Sequence, residues 1–530
     1  MLNNSVVISA LFREMDVLGV TEFCIAAGAR NAPVIAALMQ REQLVIRNFF
    51  DERSAAFFAL GRVMQTGKPV AVLTTSGTAV AELFPAVMEA HYQNAPLVVV
   101  SADRPSSYRG SGAPQAVEQS GIFGDYVTRT LEIEDDCGLR IADSGLGSFS
   151  GVTHINICLD EALVDADEVS VSGVDDEKIW RAEIGAMTEI NALEKTNWRE
   201  FCAADGSLVV LVSGIHPDDL DDVREFLLKL NAPIIAEATS NLCGDKLLQK
   251  LLVHGGEKTL GSLNAKRVLR IGAVPSWRWW RDLEACEDVS VLSIARAQFR
   301  GLARSQNVSV MPWKMIRSSE FRVQSSELPA LDTRSEKLTN LLDLFPNAET
   351  AWMRHLSKII GEGSTVFLGN SLPIREWNLA AEMPKRGTSF FANRGANGID
   401  GLVSTWLGVS AEAAESWLIV GDLSVLYDLN APWILPQLRK AKRRIVVINN
   451  GGGKIFSRVG WLNTLDDEVR SVVENRHALG FESWAKMWGL DYKLITDWKQ
   501  LSDDESDTTV WEIRPDAEET ELFWNMKHDL

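Results

Sequence analysis

The chain has few cysteines and histidines for its length, and neither type is clustered. Its 530 residues include six cysteines and seven histidines, without a C-x-x-C pair. This argues against a zinc site and a disulfide framework and favours a reducing compartment. No run of about 18 apolar residues occurs, which excludes a membrane-spanning helix. The N-terminal segment MLNNSVVISALFREMDVLGV lacks a basic start, so we expect no signal peptide and a cytoplasmic protein.

Positive charge is also scarce. The chain has 53 Lys and Arg against 72 Asp and Glu, which gives a net charge of −19. Such a protein repels nucleic acid and anionic membranes, so we expect neither as a partner. A hydrophobic content of 46% and a charged content of 24% are typical of globular proteins, and the length suggests about three domains.

Strands and helices alternate along the chain, which predicts an α/β protein with parallel sheets. Helical stretches are predicted at 54–65 and 79–93, and the predicted strands are Glu22–Ala26, Val70–Thr74, Leu97–Val100, Leu208–Val212, Arg267–Ile271, Thr365–Leu368, Trp417–Val420 and Ile445–Ile448. The charged segment Asp175–Lys178 and the polar stretch Ser318–Asn340 are interpreted as borders. We therefore place three domains at residues 1–180, 181–345 and 346–530.

Oxygen-bearing side chains follow two of the predicted strands in the C-terminal block. Asp422 comes directly after one strand, and Asn450 follows the next, before a run of glycines. In open α/β sheets, ligands bind at the carboxyl ends of strands. A carboxylate and an amide oxygen suit Mg²⁺ or Ca²⁺ holding a phosphate. The alternative is two ordinary strand-to-turn junctions rich in Asp, Asn and Gly.

Two segments of the first block are further candidates. Glu52 stands before a helix of small residues, and Ser76-Gly77 leads from a strand into a helix. Glu52 is equally compatible with an ordinary acid in a first helical turn, favoured by the helix dipole. The Ser-Gly turn suits an anion or a cofactor edge, although Ser and Thr also serve as simple N-caps.

Eight short motifs in order give the chain a specific resemblance. They are Cys24–Arg30, Phe50–Ser54, Thr75–Val80, Ala102–Pro105, Gly369–Leu372, Asn393–Ala396, Gly398–Gly401 and Gly421–Ser424. Together they resemble the 2-succinyl-5-enolpyruvyl-6-hydroxy-3-cyclohexene-1-carboxylate synthase family, the thiamine diphosphate enzymes of menaquinone synthesis. The resemblance covers both outer blocks well and the middle block weakly. It implies three doubly wound domains: a pyrimidine-binding domain, a central domain and a diphosphate-binding domain.

The resemblance also implies a cofactor site with thiamine diphosphate and Mg²⁺ or Mn²⁺. Glu52 matches the acid that hydrogen-bonds N1′ of the aminopyrimidine, and burial would raise its pKa. Ile399 matches the aliphatic side chain that bends the cofactor, although plain core packing is the alternative. The implied metal ligands are Asp422, Asn450 and the carbonyl group of Gly452. Further residues implied to contact the cofactor are Ser76, Gly77, Leu423, Ser424 and Ile455.

The implied substrates, 2-oxoglutarate and isochorismate, each carry two carboxylates, and arginine binds carboxylates bidentately. The positions that match substrate contacts are Arg30, Arg104, Gln115, Arg278, Ser371, Arg375 and Arg394, of which Arg30, Arg375 and Arg394 are also implied in catalysis. A surface salt bridge is the alternative for each arginine.

Several residues depart from the family pattern. Ala29 stands in place of the usual Ser, and Pro114 stands in place of the Asn that usually precedes Gln115. In the middle block, Trp279 replaces one residue of a usual Lys-Arg pair. The segment Arg458–Trp461 stands where a Pro-Gln segment is usual. These changes concern substrate affinity more than cofactor binding.

We therefore expect an enzyme that decarboxylates 2-oxoglutarate and adds the succinyl-semialdehyde unit to isochorismate. The family forms each site from two subunits, which implies a homodimer or homotetramer. Two alternatives stay open: another thiamine diphosphate-dependent decarboxylase or carboligase, and a non-catalytic relative. The arginines argue against the first alternative, and the presence of Glu52, Asp422 and Asn450 argues against the second.

Overall fold

A computed structural model describes residues 4–134, 140–142, 151–160, 192–253, 261, 263–317, 336–460, 462–502 and 506–528. The predicted border at 175–178, the domain boundary at 180 and residue Trp461 lie outside this part of the chain. The chain forms two compact units. The first comprises residues 1–188, 403–412 and 430–439, and the second comprises residues 189–402, 413–429 and 440–530. No helix among the described residues is long and apolar enough to cross a membrane.

The first unit contains a seven-stranded sheet in the order β2-β1-β3-β4-β7-β5-β6. Its strands are β1 (Glu22–Ala26), β2 (Val45–Phe49), β3 (Val70–Thr74), β4 (Leu97–Asp103), β5 (Arg129–Ile133), β6 (Arg140–Ala142) and β7 (Thr153–Cys158). All neighbours are parallel except β5 and β6. The central strands β1, β3 and β4 are buried along their whole length, because helices cover both faces of a parallel sheet. The predicted bounds of β1 and β3 are confirmed.

The helices beside this sheet are Asn4–Leu18, Ala32–Leu38, Glu52–Thr66, Thr78–Ala81 and Phe84–Gln93. The predicted helical stretch 79–93 is interrupted in the structure, because one helix ends at Ala81 and a new helix begins at Phe84. Pro85 explains the restart, since proline fits the first turn of a helix and cannot continue one.

A segment from the C-terminal third packs into the first unit through two glycines. A Cβ atom on Gly61 would lie 2.1 Å from the carbonyl oxygen of Thr405, and one on Gly408 would lie 2.2 Å from that of Phe58. These distances leave no room for a side chain. The helices Glu52–Thr66 and Leu402–Val409 therefore cross in backbone contact, which fixes the helix that begins with Glu52.

A five-stranded parallel sheet forms the middle of the chain in the order β12-β11-β10-β8-β9. Its strands are β8 (Leu208–Ser213), β9 (Ile234–Ala236), β10 (Arg267–Gly272), β11 (Ser290–Ala295) and β12 (Val308–Pro312). The helices of this region are Ala192–Ala203, Leu220–Leu230, Arg278–Asp282 and Glu336–Leu344. The last of these corrects the predicted polar border, because Glu336–Leu344 is an amphipathic helix that buries Leu338, Leu341 and Leu342. The rest of that border, 318–335, is outside the described residues.

The third sheet has six parallel strands in the order β14-β13-β15-β16-β18-β17. They are β13 (Thr365–Leu368), β14 (Ser389–Phe391), β15 (Glu415–Gly421), β16 (Lys442–Ile448), β17 (Asp491–Ile495) and β18 (Thr508–Ile513). The helices of this region are Glu349–Ile359, Leu372–Ala380, Asp422–Tyr427, Asp467–Val473, Glu482–Met487 and Ala517–His528. The three sheets confirm the predicted class of three parallel-sheet α/β domains.

Candidate active site

The edge of the third sheet brings together the two predicted metal-binding turns. Gly421, the last residue of β15, is in register with Ile448, the last residue of β16. Both strands are parallel, so the residues that follow them emerge at the same edge. Asp422 and Asn450 therefore become neighbours, as the sequence predicted.

Asp422 is held by main-chain hydrogen bonds. Its Oδ1 accepts from the N–H of Leu423 at 2.6 Å, and its Oδ2 accepts from the N–H groups of Gly451 and Gly452 at 2.9 and 3.0 Å. Nε2 of His477 lies 3.4 Å from Oδ2. Burial raises the pKa of Asp422, and the hydrogen bonds and His477 oppose that rise. The carboxylate is thus fixed with its oxygens at the sheet edge.

Asn450 follows β16 by two residues, and its amide oxygen is buried. Its Nδ2 lies 3.0 Å from both carboxylate oxygens of Glu349 and donates to them. Within the described residues, its Oδ1 is buried and accepts no hydrogen bond. A buried carbonyl oxygen without a donor is costly unless a ligand satisfies it. A carboxylate and a buried amide oxygen on adjacent turns fit a hard divalent cation such as Mg²⁺.

The glycine run after Asn450 needs glycine for steric reasons. Gly452 has φ of +136°, and a Cβ atom there would lie 2.6 Å from the carbonyl oxygen of Glu474. The carbonyl oxygen of Gly452 accepts from the N–H of Lys454 at 2.9 Å and keeps a second lone pair for a ligand. Burial raises the pKa of Glu474, but hydrogen bonds that Lys454, Ser457 and Arg476 donate to its carboxylate outweigh that rise and lower the pKa to about 2. Glu474 thereby anchors the loop from both its main chain and its side chain.

Of the other predicted cofactor contacts in this region, Ser424 and Ile455 lie close to these turns in the chain, and Ile399 lies in an earlier loop. Ser424 is buried in the first turn of the helix Asp422–Tyr427. Ile455 is half-buried in the 3-10 turn Lys454–Arg458. Ile399 is half-buried in the loop before Leu402. This exposure argues against plain core packing for Ile399, which was the alternative interpretation.

Asn370, which follows β13, fixes the loop that carries Arg394. Its Nδ2 donates to the carbonyl oxygens of Asn393 at 2.8 Å and Gly398 at 2.7 Å. Its Oδ1 accepts from Nη1 of Arg394 at 3.1 Å, and Nη2 donates to the carbonyl oxygen of Val274 at 3.3 Å. The guanidinium group is therefore set in position and in orientation.

Ser371 begins the next helix in a backbone conformation that is uncommon for serine. Its φ is +75°, and its carbonyl oxygen accepts from Nη1 of Arg375 at 2.5 Å. Non-glycine residues with positive φ carry strain and cluster at functional sites. Ser371 and Arg375 lie one helical turn apart on the same sheet edge as Arg394.

A buried acid from the middle sheet faces these arginines. Oε1 of Glu237 accepts from the main-chain N–H of Ser276 at 2.6 Å and from its hydroxyl group at 2.5 Å. The same hydroxyl accepts from Nδ2 of Asn378 at 3.2 Å. Burial raises the pKa of Glu237, and the positive charges of Arg394 and Arg375 oppose that rise. Glu237 thus links the middle sheet to the predicted substrate arginines.

Arg278 lies in different surroundings from Arg375 and Arg394. Its side chain is 66% exposed, and its Nε is 3.5 Å from Oδ1 of Asp282. Trp279 packs against the apolar core of the middle domain. The residue that replaces the usual basic side chain therefore has a structural role, and the predicted substrate contact of Arg278 stays a prediction.

The predicted site residues of the first unit lie at and after the carboxyl edge of its sheet. A Cβ atom on Gly28 would lie 2.6 Å from the side chain of Thr75. Oδ1 of Asn31 accepts from the N–H of Gly28 at 2.8 Å, and its Nδ2 donates to the carbonyl oxygen of Ala26 at 2.9 Å. The turns after β1 and β3 are thus packed together through glycine.

Glu52 begins the helix Glu52–Thr66 and is half-buried. The preceding Asp51 is the N-cap, since its carboxylate accepts from the N–H of Ser54. Burial raises the pKa of Glu52, its own main-chain N–H opposes the rise, and the charges of Asp51 and Glu82 add to it. Asp51 performs the capping, so Glu52 is left for another role.

Gln119, which the sequence did not single out, orders the Ser76-Gly77 turn. Gly77 has φ of +89°, and its N–H donates to Oε1 of Gln119 at 2.8 Å. A Cβ atom on Gly77 would lie 3.2 Å from Cβ of Gln115, whose own φ is +59°. Ser76 is buried. The predicted cofactor turn and Gln115 therefore meet.

Arg30 and Arg104 are both held by carbonyl groups. Nη1 of Arg30, which is buried, donates to the carbonyl oxygen of Leu159 at 3.0 Å. Nε of Arg104 donates to that of Pro114 at 3.1 Å. Pro114, one of the departures from the family pattern, thus still supplies a main-chain acceptor. Neither contact tests the predicted binding of substrate.

Comparison with known proteins gives one consistent result. Residues 6–122 match the family model described as "Thiamine pyrophosphate enzyme, N-terminal TPP binding domain". A 2-succinyl-5-enolpyruvyl-6-hydroxy-3-cyclohexene-1-carboxylate synthase from Bdellovibrio bacteriovorus is 36% identical over 100% of this chain and 99% of its own.

Further likenesses agree with this one. A synthase of the same name from Akkermansia muciniphila is 38% identical over 97% of both chains. The crystal structure of benzoylformate decarboxylase from Polynucleobacter necessarius has a TM-score of 0.72 at 15% identity, over 97% of this chain and 99% of that one, and shows the shared fold alone. The chain therefore belongs to the 2-succinyl-5-enolpyruvyl-6-hydroxy-3-cyclohexene-1-carboxylate synthase family of thiamine diphosphate-dependent enzymes.

Proposed function

We propose that this enzyme decarboxylates 2-oxoglutarate and joins the succinyl-semialdehyde unit to isochorismate in menaquinone biosynthesis. The observation that carries the assignment is the placing of Arg375 and Arg394 on the edge of the third sheet that also holds Asp422 and Asn450. Two arginines suit a donor with a second carboxylate, because each guanidinium group binds a carboxylate bidentately.

The metal is Mg²⁺ or Mn²⁺, held by Asp422, Asn450 and the carbonyl group of Gly452. Supporting this are the fixed carboxylate of Asp422 and the buried Oδ1 of Asn450. Oxygen ligands of this kind, completed by phosphate oxygens and water, suit an octahedral cation. Leu423, Ser424, Ile455 and Ile399 line the cofactor.

Thiamine diphosphate supplies the electron sink for loss of carbon dioxide. Glu52 would exchange a hydrogen-bonded proton with the aminopyrimidine of the cofactor. Its raised pKa supports this role, because an acid that shares a proton works best when its pKa approaches the working pH. The turn at Ser76 and Gly77 would hold the same ring.

The substrate carboxylates are bound by arginines and by other polar side chains. Arg375 and Arg394 contact the donor, and Ser371 assists them. Arg30, Arg104, Gln115 and Arg278 are the further contacts. Asn370 and Glu237 orient the guanidinium group of Arg394, so the clamp is preorganised before substrate enters.

The enzyme is a cytoplasmic homodimer or homotetramer with sites shared between subunits. Its domains are the pyrimidine-binding domain at 1–180, the central domain at 181–345 and the diphosphate-binding domain at 346–530. The three separate sheets support this division.

One assay tests the proposal against a general 2-oxoacid decarboxylase. Carbon dioxide release is measured from 2-oxoglutarate and from pyruvate, with and without isochorismate, in the presence of thiamine diphosphate and Mg²⁺. The proposal expects 2-oxoglutarate to be the better donor and isochorismate to be consumed with it. Equal use of pyruvate, or release that never leads to an adduct with isochorismate, would favour the general decarboxylase.

A further inference from the structure

The orientation of the Asn450 amide is decided by a residue outside the predicted ligand set. Glu349 is 2% exposed, and both of its carboxylate oxygens are 3.0 Å from Nδ2 of Asn450. In its ionised form, the carboxylate of Glu349 offers only acceptors. The amide must therefore turn its N–H₂ group toward Glu349 and its Oδ1 away from it.

The position of Glu349 is itself fixed. It is the first residue of the helix Glu349–Ile359, and its main-chain N–H donates to the hydroxyl group of Thr520 at 3.0 Å. Thr520 belongs to the C-terminal helix Ala517–His528. The main chain that carries this carboxylate is thus held by a second helix, which restricts movement of Glu349.

We propose that Glu349 is a positioning residue for the metal, since it locks Oδ1 of Asn450 in the direction of the cation. The inference rests on the metal site of the proposed function. Partners behind a ligand fix its orientation, and their loss typically weakens metal affinity about 10- to 100-fold. A buried acid with both oxygens on one amide nitrogen is such a partner.

The first test is Glu349→Gln, with the affinity for thiamine diphosphate measured by titration calorimetry across a range of Mg²⁺ concentrations. A glutamine offers one acceptor and one donor, so Asn450 can turn its Oδ1 toward the new N–H₂ group. We expect the Mg²⁺-dependent affinity to fall about 10- to 100-fold. Wild-type affinity in this variant would overturn the proposal.

A matched control is available in Glu376. This acid is also fully buried, but its Oε1 accepts from the hydroxyl group of Thr350 at 2.9 Å and not from Asn450. Glu376→Gln removes a buried carboxylate from the same region and should leave the affinity within about threefold, a change under about 1 kcal/mol. An equal loss in both variants would mean that buried charge, and not orientation, sets the affinity.

A rescue variant separates orientation from general damage. In Glu349→Gln combined with Asn450→Asp, the glutamine donates to one oxygen of the aspartate and leaves the other for the metal. Net charge is the same as in the wild type. We expect this double variant to bind Mg²⁺ and thiamine diphosphate more tightly than Glu349→Gln alone. No gain would overturn the proposal.

Two further comparisons keep the test decisive. If Glu349→Gln does not fold, Asn450→Asp is compared with the double variant. The proposal expects the double variant to bind more tightly, because it no longer has two facing carboxylates, and equal affinity would overturn it. Asp422→Ala separates the two levels of inference: if it abolishes binding while Glu349→Gln does not weaken it, only the role of Glu349 is wrong. If neither variant changes affinity, the metal site itself is wrong.

Discussion

Glu52 and Asp422 occupy equivalent places in two different sheets. Each is the first residue of a helix that follows a strand of a parallel sheet, and burial raises the pKa of each. Their surroundings differ. Asp422 accepts hydrogen bonds from the N–H groups of Leu423, Gly451 and Gly452. Within the described chain, the carboxylate of Glu52 accepts only from its own N–H, and the charges of Asp51 and Glu82 disfavour its ionised form.

The comparison contrasts two environments of a carboxyl group at the same position on a helix. Hydrogen bonds to a carboxylate stabilise its charged form, whereas nearby negative charges stabilise the protonated form. The environment of Asp422 suits a permanent anion that holds a cation. The environment of Glu52 suits a carboxyl group that shares a proton. The position on the helix is the same, and the neighbours decide the role.

The largest effect is expected at Asp422. Asp422→Ala removes the charged ligand and releases the N–H groups of Gly451 and Gly452, so Mg²⁺-dependent binding of thiamine diphosphate should be abolished in titration calorimetry. Asp491→Ala, which removes an exposed acid from β17, is the control and should bind normally. Unchanged affinity in Asp422→Ala would mean that the pair with Asn450 is only a structural turn.

Substitution of Glu52 should reduce turnover and largely preserve cofactor binding. Glu52→Gln keeps the size of the side chain and leaves the metal site intact, so affinity for the cofactor should stay within about tenfold. Turnover should fall about a hundredfold or more, the usual scale for loss of a positioned acid or base. Steady-state kinetics with saturating cofactor measures the effect. Wild-type turnover would make Glu52 an ordinary acid of a first helical turn.

A third buried acid extends the comparison, because Glu237 faces cations. Arg394→Ala and Arg375→Ala should keep binding of thiamine diphosphate but lose about ten- to a hundredfold in kcat/KM for 2-oxoglutarate, the cost of one charge-assisted contact of about 1.5–3 kcal/mol. Substitution of either arginine by lysine should recover only part of the lost kcat/KM, because lysine lacks the planar guanidinium group that binds a carboxylate bidentately.

The exposed residue Arg300 provides a matched control for these arginines, and Arg300→Ala should be neutral. If Arg394→Ala and Arg375→Ala use 2-oxoglutarate as well as the wild type does, the arginines do not read the second carboxylate of the donor.

Local pattern was enough to predict the elements that carry the site. Short runs of apolar residues gave the bounds of β1, β3 and β13, because central parallel strands are buried on both faces. The Asp and Asn residues at the strand ends were also found, since turn chemistry is local. The broken helix after Ala81 was missed, although Pro85 was a signal for it.

Contacts between distant parts of the chain could not be predicted in this way. Glu349 and Asn450 are 101 residues apart in sequence, and Glu237 reaches Arg394 from a different sheet. Asp51 accepts from Nδ2 of Asn430, which is 379 residues further along the chain. Such pairs depend on how sheets and helices pack, so single-sequence patterns carry no signal for them. The sequence therefore singled out the proposed ligands and missed the distant residues that contact them.

The smallest effect tests why Glu52 differs from Asp422. The negative charge of Glu82 raises the pKa of Glu52, so Glu82→Gln should lower that pKa. The pH at which turnover changes with ionisation of Glu52 should then move to a lower value, with little change in the maximal rate. Glu42→Gln, which removes another exposed acid of the first unit, should not move it.

Salt offers an independent check on the same charge. Glu82 is exposed, and at 1 M salt the screening length is about 3 Å. Added salt should therefore lower the transition pH of the wild type by more than that of Glu82→Gln, in which only the half-buried charge of Asp51 remains to be screened. If the two profiles coincide at every salt concentration, the charge of Glu82 does not act on the group that titrates. Burial and the charge of Asp51 would then account for the raised pKa of Glu52.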